Sequence, residues 1–238
     1  MEDRPRSLLW PTVAAVVFLA ITLAAGDWQL HRAQYKRELQ ARIDRRAAEP
    51  PLVLDAAATD VRRLQGRRVV ATGSFDVAHE IFIDNRSLEG RPAYQVLTPL
   101  RIVGSDAAVL VDRGLLRRDW EAKALPVVPP VPAPLRIEGM AGPPPGKYLE
   151  LSKHTVDGKV WQNLDMERYA KTVPYPLLPI VVTQLNDTGD GLYRHWTRPD
   201  VNVQMHLGYA FQWFAMAVTI VIIYVVLYAK RRKQIKQA

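Results

Sequence analysis

The chain has 238 residues, no cysteine and a formal net charge of +8. That length leaves room for one sizeable domain besides two membrane spans, with a core that needs no disulfide or metal staple. The missing thiols exclude disulfides, thiolate metal sites and thiol redox chemistry. The excess positive charge gathers beside the apolar segments and leaves the rest of the chain close to neutral, which argues against a nucleic-acid surface on the domain.

Leu8 to Ala25 runs eighteen residues without a charge, with Trp10 and Trp28 at its two ends. A helix needs about 20 apolar residues to cross the hydrocarbon core, so this segment is a candidate span. Pro11 falls near its start, where a missing N–H costs little. The competing reading is a cleaved signal peptide ending near Ala24-Ala25-Gly26. The weak positive start and the long apolar run favour a span.

Residues 29 to 46 carry six basic side chains against Glu38 and Asp44 in a helix-friendly pattern, so the first helix is expected to continue into water. Glu49-Pro50-Pro51 ends it. Short alternating apolar–polar runs follow at Arg67 to Phe75, Glu80 to Asp84, Tyr94 to Val103 and Ala107 to Leu115. Further strands are expected at Leu135 to Met140, Lys159 to Leu164 and Pro179 to Leu185. Gly, Pro, Asn or Asp breaks them, and Gly104-Ser105-Asp106 reads as a hairpin turn. Met166 to Lys171 reads as one short helix. Pro126 to Pro134 and Gly142 to Gly146 read as stiff, extended connections. Strands this dense predict a mainly antiparallel, α+β, barrel-like domain.

Leu207 to Tyr228 is a second uncharged run, of twenty-two residues, and Lys230, Arg231, Arg232, Lys233 and Lys236 follow it. Positive-inside places that tail in the cytoplasm, and two spans return the N-terminus to the same side. The expected fold class is therefore a membrane protein in which two transmembrane helices flank an extracytoplasmic β-rich domain. The expected boundaries are a cytoplasmic N-terminus at 1–7, a first span at 8–28, and the domain with its helical extension at 29–205. The second span then covers 206–229 and the basic tail 230–238. Gly208, Gln212, Ala215 and Thr219 form a small or polar stripe on the second span that suits packing on the first, which carries Ala20 and Ala24.

No nucleophile elbow, phosphate loop or HExxH helix is present. Asp165 and Glu167 lie two apart and point to different helix faces, so the chain is expected to be no enzyme. The histidines at 31, 79, 154, 195 and 206 lack the spacing of a shared metal site. His206 differs by its depth. It precedes Lys230 by 24 residues, roughly 36 Å along a straight helix, which places it at the outer membrane interface. Tyr209, Ala210 and Trp213 follow on the same side at +3, +4 and +7. Two readings fit: an axial ligand to the iron of a lipophilic haem, or an interfacial polar residue in an aromatic belt. On the first helix, Gln29, Arg32 and Lys36 share a face just outside the membrane. There the two cations can pair with carboxylates of a bound molecule or with lipid phosphates.

Several stretches taken together resemble the Surfeit locus protein one family, membrane assembly factors for haem-copper cytochrome oxidases. They are WQLHR at 28, TGSFD at 72, HEIFIDNRS at 79, GRPAYQVLTPL at 90 and VLVDRG at 109. IEGM at 137, WQNLDMERYA at 161, LPIVVTQ at 178 and NVQMHLGYAFQWFAMA at 202 complete the ordered set. The family often has glycine where Ala93 stands and tryptophan where Leu115 stands.

The resemblance implies binding of haem a and its insertion into oxidase subunit I, with haem a synthase and membrane lipid as further partners. The alternative it leaves is a scaffold that stabilises an assembly intermediate and holds no cofactor. In bacterial relatives the histidine opening the second span is the proposed iron ligand, which corresponds to His206. The family's corner motif maps onto Trp28, Gln29, Leu30 and Arg32, and its second-span aromatics onto Tyr209 and Trp213. The short, acidic start at Met1 to Ser7 is unlike a mitochondrial transit peptide. A bacterial cytoplasmic membrane, with the domain in the periplasm, is the expected address.

Overall fold

The computed structural model describes residues 9–55, 61–119, 121, 124–144, 156–196 and 202–237. The expected N-terminal segment 1–7, His154 and the end of the GPPPG stretch lie outside those residues. The chain forms two compact units, one made of the segments up to Arg42 and from Thr197 onward, the other of Ile43–Trp196.

Two long helices make the first unit. Helix α1 runs unbroken from Leu9 to Ala48, so the apolar stretch and the charged stretch after Trp28 are one element. The last helix, Val203–Gln237, is equally continuous through the apolar run into the basic tail. Both are long and apolar enough to cross a membrane. With a β domain between them in sequence, this is the architecture of a membrane protein.

Among the described residues the second unit is built on nine strands. They are β1 (Leu52–Leu54), β2 (Arg68–Phe75), β3 (Ile81–Leu88), β4 (Arg91–Ile102) and β5 (Ala108–Arg117). After them come β6 (Leu135–Gly142), β7 (Val156–Asp157), β8 (Val160–Trp161) and β9 (Leu177–Gln184). Two short α-helices, α2 (Val61–Leu64) and α3 (Met166–Ala170), and a 3-10 turn at Val77–His79 are the other described elements before the long C-terminal helix, α4. Asp165 caps α3 by accepting from the Arg168 N–H.

Strands β2, β6, β9, β5 and β4 close into a barrel, because β2 pairs with β6 along one edge and with β4 along the other. Most pairings are antiparallel. The exceptions are β1 with β2, β3 with β8 and β5 with β9. The barrel interior is aliphatic, with Val69, Leu100, Val109, Val111, Ile137 and Ile180 fully buried. The segment around β8 and α3 covers part of the outer wall through Trp161, Leu164 and Tyr169, which pack on Ile81, Ile83, Leu97 and Leu110.

Two differences from the expected elements have physical causes. The Lys159 to Leu164 run yields only a two-residue strand, because the chain bends at Gln162 and Asn163 and turns into α3, which Asp165 caps. β3 runs on past Asp84 to Leu88 by means of an irregularity between Ile83 and Arg86, where Asn85 takes a positive φ of 58°.

Closure depends on Gly73. A Cβ there would stand 2.2 Å from the Arg101 carbonyl oxygen across the β2–β4 seam, a clash with backbone that no rotamer relieves. Gly73→Val is expected to force the seam open and to destabilise the domain by about 3 kcal/mol, the upper range for overpacking. Thermal unfolding of the detergent-solubilised chain checks this. An unchanged midpoint would show that the seam does not hold the barrel.

Candidate site at the paired apolar helices

The two long helices face each other along a seam of alternating three- and four-residue spacing. On α1 it comprises Thr12, Ala15, Leu19, Thr22, Gly26, Gln29 and Ala33, each wholly or partly buried. On α4 the matching positions include His206, Ala210, Trp213, Ala217, Ile220 and Tyr224. That spacing is the knobs-into-holes pattern of a left-handed pair. The contacts run antiparallel. The Thr12 and Tyr224 hydroxyls lie 2.9 Å apart. Gly26 sits under the Phe214 ring, where an added Cβ would come within 2.8 Å. Gln29 meets His206.

The seam is not the one the stripe of small residues suggests. Gly208, Gln212, Ala215 and Thr219 are all exposed, as are Ala20 and Ala24. Thr219 turns its hydroxyl back to the Ala215 carbonyl of its own helix. At about 100° per residue these four positions lie roughly half a turn from the face carrying His206 and Ala210. Gly26, Ala210 and Ala217 supply the close approach instead.

At the end of the seam opposite Thr12 and Tyr224, His206 is partly buried, and its Nδ1 lies 2.8 Å from Gln29 Oε1. An amide oxygen can only accept, so Nδ1 carries a proton, and in the neutral ring the lone pair falls on Nε2. A neutral imidazole with its N–H engaged and the other nitrogen available is the form that ligates a metal.

The other expected residues lie around this pair. Trp213, two turns from His206 on the same face, is half-buried, while Tyr209 and Trp28 are exposed at 44% and 61%. Arg32 is exposed one turn beyond Gln29, with its guanidinium 5.3 Å from the Tyr35 ring centre. Trp28, Arg32 and Tyr35 fall on one flank of Gln29. Tyr209 falls on the corresponding flank of His206, because antiparallel helices of the same hand present matching sides. The pair therefore offers one rim with an imidazole at its centre, aromatic rings beside it and a guanidinium one turn outward. His31 stays apart, engaged with Asp27 of its own turn.

Among the described residues of the domain, three polar clusters stand out that the sequence reading did not identify. Arg113, buried in the barrel, donates to Glu80 Oε2 at 3.0 Å and to Asp190 Oδ2 at 2.8 Å, with Phe75 stacked 4.3 Å from its guanidinium. Thr98 also donates to Glu80, and Arg194 to Asp190. Burial alone raises the Asp190 carboxyl, but hydrogen bonds from Arg194 and Arg113 outweigh it and hold that group below the usual carboxylate range. Gly114 makes this cluster possible. Its φ of 142° and the approach of Tyr193 O, 2.7 Å from where a Cβ would be, let the Asp190 loop return against β5.

In the second cluster Arg86 donates to Gln95, which donates to the buried Asp112. Burial pushes the Asp112 carboxyl up to about 7, against the downward pull of Gln95, the Gly114 N–H and the Arg86 charge. In the third, Asp76 accepts from His79 Nδ1 and from the Tyr175 hydroxyl. Burial raises that carboxyl, and Tyr175 and His79 more than reverse it. Among the described residues no three histidine or carboxylate side chains gather to hold a metal ion. A charged pair in the middle of an otherwise buried strand, as in VLVDRG, was the available signal for the first two clusters.

Comparison with known proteins gives a consistent result. The model of the SURF1 family matches residues 16–218. A SURF1-like protein of Monosiga brevicollis is 23% identical over 231 residues, covering 91% of this chain and 85% of that protein. An uncharacterized SURF1-like protein of Mycobacterium tuberculosis is 35% identical over 128 residues, which is 50% of this chain and 44% of the relative. Surfeit locus protein 1 of Mus musculus is 28% identical over 113 residues, 42% of this chain and 37% of the relative. With the last two, the match spans less than half of the relative's length.

Proposed function

The chain belongs to the SURF1 family, and from that membership we propose that it is an assembly factor for haem-copper cytochrome oxidase that binds haem a and assists its insertion into subunit I. The observation that carries the reading is the Gln29–His206 hydrogen bond, which engages Nδ1 and would leave Nε2 to meet the iron. His206 would ligate the iron, Tyr209, Trp213 and Trp28 would border the macrocycle, and Arg32 would meet its propionates. When bound, haem a supplies a redox-active iron that the protein carries and does not turn over. The chain's own residues bind and orient it, and no bond-making step is assigned to them. The basic run Lys230 to Lys233 supports an orientation with both termini in the cytoplasm and the domain in the periplasm of a bacterial inner membrane. The partners are subunit I, haem a synthase as the source of the cofactor, and lipid.

A scaffold that grips oxidase subunits without holding cofactor is the second reading. The exposed stripe Gly208, Gln212, Ala215 and Thr219 supports it, because small and polar residues in a span suit contact with another helix. Affinity capture in mild detergent from cells that lack haem a separates the two. A carrier is expected to recover subunit I only when haem a is made. Equal recovery in both cell types would favour the scaffold.

A further inference from the structure

We infer that Gln29 is the positioning residue for His206, setting the electron-donating power of the imidazole as well as its orientation. This rests on the haem a reading above. Three observations carry it. The Gln29 amide oxygen lies 2.8 Å from Nδ1 across a sequence separation of 177 residues, so the bond joins two helices. Both residues are only partly buried, and Gln29 occupies a seam position between Gly26 and Ala33, where the helix packing fixes it. The acceptor is an uncharged amide, which polarises the imidazole N–H less than a carboxylate does.

The consequence is specific. An acceptor on Nδ1 gives the ring partial imidazolate character, strengthens donation from Nε2 and stabilises ferric over ferrous iron. A neutral amide therefore holds the cofactor at an intermediate strength, suited to a protein that must also release it. The same bond makes the ligand competent only while the two helices are paired.

The test is a comparison of wild type, Gln29→Leu and Gln29→Glu as full-length chains, purified in mild detergent and loaded with haem a. Titration gives the affinity and spectroelectrochemistry gives the iron midpoint potential. Gln29→Leu is expected to weaken haem binding by about 10- to 100-fold and to raise the midpoint potential. Gln29→Glu is expected to retain the haem and to lower the midpoint below that of wild type. Opposite shifts from two variants of similar size are not what a packing role would give. Equal potentials in all three proteins, or shifts of the same sign in both variants, would overturn the inference while leaving haem binding intact. If the wild type takes up no haem a, the haem a reading fails first and the role of Gln29 falls with it.

Discussion

Arg113→Met is expected to destabilise the domain by about 3–5 kcal/mol, enough to lower its melting temperature by on the order of 10 °C. The methionine fills most of the arginine's volume, so the loss comes chiefly from charge. Arg113 is the cation that Glu80 contacts, and both are almost fully buried. Among the described residues, removing it leaves Glu80 the Thr98 hydroxyl as its side-chain partner, a carboxylate taken out of water without a counter-charge. Asp190 is less affected, because Arg194 still pairs with it. That asymmetry gives a control. Arg113→Met combined with Glu80→Gln is expected to recover part of the loss, since the uncompensated charge is then gone. A double variant no more stable than Arg113→Met would mean that packing around Phe75, rather than charge, holds the site together.

Asp112→Asn is expected to change how stability depends on pH. The folded carboxyl titrates near 7 and the unfolded one near 3.8, so the folded state keeps a proton that the unfolded state loses between those values. Below about pH 4 both states are protonated and Asp112 contributes no slope. Between 4 and 7 each pH unit costs the wild type about 1.4 kcal/mol, and above 7 the loss is complete. Asparagine does not titrate. The stability gap in favour of the variant should therefore widen by about 4 kcal/mol from pH 4 to pH 8, whatever constant difference the amide introduces. Urea unfolding of both proteins in the same detergent at several pH values measures it. Parallel stability curves would show that Asp112 ionises in the fold as it does in water.

Local patterns in the chain disclose much of this architecture. Alternation and turn residues place β2, β4, β5, β6 and β9 within a few positions of their observed bounds, and two uncharged runs mark the long helices. His206 is singled out in the sequence by its position, 24 residues before Lys230. Pairing across long separations is another matter. Closure of the barrel needs β9 parallel to β5 and β2 against both β6 and β4, and local alternation encodes none of these pairings. The face of α4 that meets α1 is set by Gly26 and Phe214 fitting together, so a stripe read on one helix alone selected the wrong side. Arg113 finds its partners 33 and 77 residues away. Gln29 was readable as part of a polar face with Arg32 and Lys36, but its partner lies on the other helix.

His206, as the proposed ligand to haem a at the paired helices, can be tested directly. The measurement is a redox difference spectrum of the detergent-purified chain from cells that make haem a, recorded beside His206→Ala. A haem a signal is expected in the wild type and its loss in the variant, while the β domain melts at the same temperature in both. A signal of equal size in the two proteins would contradict the assignment of the ligand. A folded wild type without haem a would contradict the carrier role itself.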